Sequence, residues 1–106
     1  SKIPAAQSQL GHYLTMVGLL DRAGPLLEQA AADLAAQNKV AERTRALYRL
    51  ARVYELQGQP SRALQVLKEQ ALPVATAVSD AAAVAAIEQF VLTLGSKATD
   101  HPNPME

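Results

Sequence analysis

The chain has 106 residues, of which 49% are hydrophobic and 4% aromatic, with 10 Lys plus Arg against 10 Asp plus Glu and no Cys. That length is one domain with room for a core, and the apolar share excludes a disordered chain. Zero net charge leaves no long-range field toward nucleic acid or an anionic membrane, and the absence of Cys removes disulfides, thiolate metal sites and cysteine nucleophiles together.

Ala is the commonest residue and Leu the second, as closely packed aliphatic helices require. No stretch approaches the ~18 apolar residues that span a bilayer. No charged segment followed by an apolar run opens the chain, so no signal peptide is expected and the location reads as cytoplasmic. Opening on Ser1 rather than Met, the sequence reads as part of a larger protein.

Pro4 can start a first helix, which carries Leu10, Leu14 and Val17 on one side and ends at Gly18. Asp21 is the expected N-cap of a second, with Pro25 tolerated in its first turn, running to about Gln37 before a left-handed turn at Asn38. A third runs from about Ala41 to Gln57, with Leu47, Leu50, Ala51 and Tyr54 at i, i+3, i+4, i+7. Gly58 ends it. Pro60 and Ser61 open a fourth helix, Ser61 as cap, with Ala63, Leu64 and Leu67 inward. Pro73 should kink or end that helix. Asp80 caps a fifth through Leu94, closed by Gly95, and the remainder, residues 96–106, reads as a disordered tail.

The second half repeats the first at an offset of 40 residues. Gly18 maps to Gly58, Leu10 to Leu50, Gly11 to Ala51, Leu14 to Tyr54, Ala23 to Ala63 and Leu27 to Leu67. A second step takes Leu47 to Ile87, Leu50 to Phe90 and Tyr54 to Leu94. Small residues at 11, 51, 23 and 63 let helices approach, and large ones fill the gaps between them.

The stretch "LYRLARVYELQGQPSRALQVL" resembles one unit of the tetratricopeptide repeat (TPR) family, through Leu47, Leu50, Ala51, Tyr54, Gly58, Ala63 and Leu67. The first unit departs from that pattern, with Gln7 where a large apolar residue is usual. The offset of 40 exceeds the family's usual 34 and is similar to its longer kinesin-light-chain and transcriptional-regulator variants. The resemblance implies an all-α fold, antiparallel hairpins stacked as a short right-handed solenoid: about two and a half repeats and five helices over residues 1–95, in units of about 4–38, 41–78 and 80–95. It also implies a non-enzymatic protein–protein interaction scaffold, whose groove binds a peptide or helix or which packs against another domain or copy.

No catalytic constellation is present. The two His, His12 and His101, stand far apart, no metal-ligand spacing or phosphate-binding Gly-rich loop appears, and neither a metal nor a cofactor is expected. On the third helix Arg45, Tyr48, Arg49 and Arg52 form their own i, i+3, i+4, i+7 face, extended by Glu55 and Leu56. By the resemblance this face lines the groove. The 40-residue offset adds Ala5, Ser8, Gln9, His12 and Met16 from the first helix, and Glu88 and Gln89 come from the fifth. The face suits an acidic peptide; as an ordinary solvated face, its arginines would pair with Glu42 or Glu55. Ser8 and His12 stand where the family's carboxylate clamp has Asn and Lys, so chaperone-tail binding is not implied.

Two other readings belong beside this one. The fifth helix is apolar nearly all round, and Val84, Ile87, Phe90, Val91 and Leu94 make a candidate self-association surface for a homodimer. "YELQGQPSRALQVLKEQ" also looks like a DNA-binding helix-turn-helix of a regulator, against which stand Tyr54 near the turn, the zero net charge and the matching turn at Gly18.

Overall fold

The protein is all-α. A computed structural model describes residues 3–99, with side chains through Ser96, and every element among them is helical. The elements are α1 (Pro4–Met16), α2 (Leu20–Ala36), α3 (Val40–Leu56), α4 (Pro60–Val66), a π-helical turn (Leu67–Ala71), α5 (Leu72–Ala77) and α6 (Ala81–Thr99). Residues 100–106, with His101 and most of the expected tail, lie outside the described residues.

Each hairpin joint is built the same way. Gly18, Asn38, Gly58 and Ser79 adopt positive φ, at 85°, 56°, 76° and 55°. Each donates its N–H to the carbonyl three residues back, and its successor donates to the carbonyl five back: Gly18 to Thr15 and Leu19 to Leu14, Ser79 to Thr76 and Asp80 to Ala75. This Schellman arrangement satisfies the last carbonyls of every helix that enters a joint. The first three joint residues are 20 apart, and the fourth comes after 21.

The π turn in residues 60–77 accommodates that extra residue. There the Leu72 N–H reaches back five residues to the Leu67 carbonyl. One residue added to an α-helical rod produces such a turn, because the ladder widens locally instead of shifting everything after it. Pro73 follows at once in the first turn of α5, where a missing N–H is least costly. The rod therefore runs through Pro73 instead of ending there.

The caps divide the expected from the unexpected. Asp80 caps α6 as its sequence position suggests, its Oδ1 accepting from the Ala83 N–H at 3.1 Å. Asp21 and Ser61 do not cap. Both lie inside the first turn of their helices, whose N-cap residues are Leu19 and Gln59 without a side-chain hydrogen bond. At the far end, α6 passes through Gly95 to Thr99 and does not close there.

The core is one aliphatic cluster centred on α3. Leu47, Leu50, Ala51, Val53 and Tyr54 pack there with Ala23, Leu27 and Leu34 of α2, with Ala63 and Leu67, and with Ile87, Phe90 and Leu94 of α6. Helix α3 touches every other element. Among the described residues, α2 makes no backbone contact with α4, nor α1 with α6.

Helix α1 corrects the sequence reading. Its buried residues are Pro4, Ser8, Gly11 and Thr15, whereas Leu10 and Val17 are each 50% exposed and Leu14 is half-buried. Leu50, the counterpart of Leu10, is buried because α3 has helices on both sides. The end helix has a neighbour on one side only. Its tight contact uses Gly11, which turns the larger apolar residues outward.

Candidate functional site: the groove along α1, α3 and α6

Three adjoining depressions run along the face shared by α1, α3 and α6. The first, of about 320 Å³, lies between Ala5, Ser8 and Gln9 of α1 and Glu42, Arg45 and Arg49 of α3. The second, of about 360 Å³, places His12, Arg45, Tyr48 and Arg49 opposite Asp80, Ala83, Ala86 and Ile87. The third, of about 410 Å³, holds His12, Tyr48, Arg49, Arg52 and Glu55 against Gln89, Phe90 and Thr93. Arg49 borders all three.

The helical period explains this arrangement. Residues 45, 48, 49, 52 and 55 form the stripe of α3 opposite its core stripe, and α1 and α6 flank it from either side. Of the groove residues expected from the sequence, His12, Arg45, Tyr48, Arg49, Arg52 and Glu55 are thus brought together. Glu88 is exposed and borders none of the three depressions; its neighbour Gln89 does. Met16, also expected in the groove, is 72% exposed and borders none either.

The arginines have three different surroundings. Arg52 makes an ion pair with Glu55, Nη1 to Oε1 at 2.7 Å, one turn along the same helix. Arg49 is half-buried and donates from Nη1 to the buried hydroxyl of Ser8 at 3.0 Å, across the groove floor. Burial, and next the neighbouring Arg45, push its guanidinium below the ordinary value. Among the described residues no carboxylate lies within 4 Å of Arg45 or Arg49, so pairing with Glu42 or Glu55 does not account for them.

The aromatic wall of the groove comes partly from α6. Tyr48 and Phe90 pack with ring centroids 4.9 Å apart, tilted by 49°. This revises the self-association surface expected on α6. Ile87, Phe90 and Leu94 are buried in the chain's own core, and Val84 and Val91 are half-buried against it. A helix with core on one side and groove on another looks apolar all round in sequence. Its large exposed apolar residue is Leu92.

On the opposite side, a cleft of about 440 Å³ lies between α2 and α4 over Leu47, Leu50 and Tyr54. There the Tyr54 hydroxyl donates to Glu28 of α2, and Arg62 of α4 lies 4.3 Å over the Tyr54 ring. Burial, then the Glu28 bond, push the Tyr54 phenol up to about 12. Sequence reasoning missed this three-helix link, because only Tyr54 belongs to the repeat pattern; Glu28 and Arg62 carry no signal of their own.

Comparison with protein-family models, with curated proteins and with solved structures gives no match to this chain. Among the described residues no helix is long and apolar enough to cross a membrane.

Proposed function

We propose that the chain is a non-enzymatic protein-interaction module, a short solenoid of the TPR kind, which binds a peptide or helical segment in the α1/α3/α6 groove. The observation that carries this reading is the groove itself. Three depressions join into one path along the first helices of successive hairpins, with Arg49 at their junction and the Tyr48–Phe90 pair as a wall. A path of that length suits an extended chain better than a small compact molecule.

The helix order supports the stacked reading. Each helix packs on the next, α1 on α3 and α3 on α6 along the groove, while the alternate helices α2 and α4 make no backbone contact among the described residues. The joint at Gly58 has the same bonds as the other three. A repeat array requires that uniformity, whereas a single DNA-reading motif does not.

The test is selection from a random peptide display library against the folded chain, followed by titration of synthetic selected peptides into isotope-labelled protein. Shifts in the amide signals of His12, Tyr48, Arg49 and Gln89, lost in Tyr48→Ala, are expected. Peptides that shift only α2 and α4 signals would move the binding function to the other side and overturn this reading.

A further inference from the structure

The groove's charges and floor together specify the chemistry of its occupant. Arg45 and Arg49 are neighbours on one helix face, and the nearest partner of Arg49 is a neutral hydroxyl. Two cations with no carboxylate of the described residues within 4 Å repel each other, and one of them is partly withdrawn from water. An anion placed between them would relieve that repulsion and gain charge-assisted hydrogen bonds. His12 borders the same depression from α1.

The far wall of this depression has a different character. Ala83, Ala86 and Ile87 make an apolar wall, and Asp80 stands at the start of α6. The Asp80 carboxylate is engaged by the Ala83 N–H and would repel a second anion at that wall. The depression is thus basic on the α3 side and apolar, then acidic, on the α6 side.

Resting on the groove reading above, we infer that the site takes an acidic peptide segment, with a carboxylate between Arg45 and Arg49 and a small apolar side chain over Ala83, Ala86 and Ile87. Arg49 is the pre-positioned half of the clamp, held by Ser8. Arg45 is exposed and supplies the second charge from the rim.

The experiment uses a short fluorescein-labelled peptide of glutamates alternating with alanine and leucine, and its twin with glutamine for glutamate, followed by anisotropy. The glutamate peptide should bind about tenfold more tightly or better, and Arg49→Gln and Arg45→Gln should each remove about tenfold, the scale of one charged hydrogen bond. Arg45 makes no ion pair among the described residues, so Arg45→Gln keeps the test informative if Arg49→Gln fails to fold. Equal binding of both peptides, with groove amide signals still shifting, would overturn the anion subsite and leave the groove reading standing. Binding of neither peptide, with groove signals unmoved, would remove the subsite, and selection from the display library would then decide the groove reading separately.

Discussion

Gly11 of α1 lies directly against Leu27 of α2. A Cβ built on it would sit 2.6 Å from Leu27 Cγ and 2.8 Å from Cδ2, and Leu27 is fully buried. The contact sets how closely the first hairpin closes, and it occupies the position that Ala51 holds one unit later.

Substituting Gly11 by Ala should therefore destabilise the fold by about 1–3 kcal/mol, the range for overpacking a filled core. Better helix propensity, about 1 kcal/mol, acts in the other direction and is outweighed. Gly24 is the comparison: apart from its chain neighbours, its added Cβ would meet Val53 Cγ1 at an ordinary 3.7 Å. Gly24→Ala should change stability by less than about 1 kcal/mol, since the helix propensity gained is offset by the clash of a Cβ with the ring of Pro25. Urea denaturation should show the larger loss for Gly11→Ala.

Tyr54 links stability to alkaline pH. Its phenol is raised from 10.0 to about 12, so the fold favours the protonated form. That contribution is fully present below pH 10 and is lost as pH rises through 10 to about 12, because the unfolded chain ionises first. Melting temperature should fall more steeply between pH 9 and pH 11.5 in the wild type than in Tyr54→Phe. Parallel curves would mean that Tyr54 is not held protonated by its surroundings.

The helix starts separate by cap. Asp80→Ala removes the hydrogen bond to the Ala83 N–H and should cost about 1 kcal/mol, whereas Ser61→Ala should change little, since Ser61 caps nothing. Thermal melts that show equal losses would refute the assignment.

Ser79 holds a left-handed conformation, φ 55°, without glycine's freedom. Ser79→Gly should raise stability by about 1 kcal/mol, the scale of the steric penalty relieved. Gly58→Ala, at φ 76°, should lower it by a similar amount. Denaturant midpoints for the two variants should move in opposite directions.

Much of the fold is legible wherever a residue reports on its own helix. The core stripe of α3, the turn residues Gly18, Asn38 and Gly58, and the Asp80 cap follow from period and local backbone chemistry. So does the groove stripe of α3, because it is the complement of the core stripe. What depends on neighbours is not legible. Leu10 repeats Leu50, yet it is exposed because no helix covers that side of α1. Gln7 repeats Leu47 and leaves Oε1 buried with no hydrogen-bond partner among the described residues, which no periodicity announces. The π turn has no signature beyond Pro73, and the extra residue shows only once the joint at Ser79 is known.

Helix α3 also acts as an axle. Among the described residues, the α1–α2 hairpin and the segment from α4 to α6 share no backbone contact except through it. Each half can therefore tilt about α3 without sliding one packed helix past another between them. Across the back, the contact from Glu28 through Tyr54 to Arg62 is a strap that resists opening of that side. About such an axle, closing α1 and α6 toward one another would open the α2/α4 side, so the contact at Tyr54 would limit how far the groove could narrow.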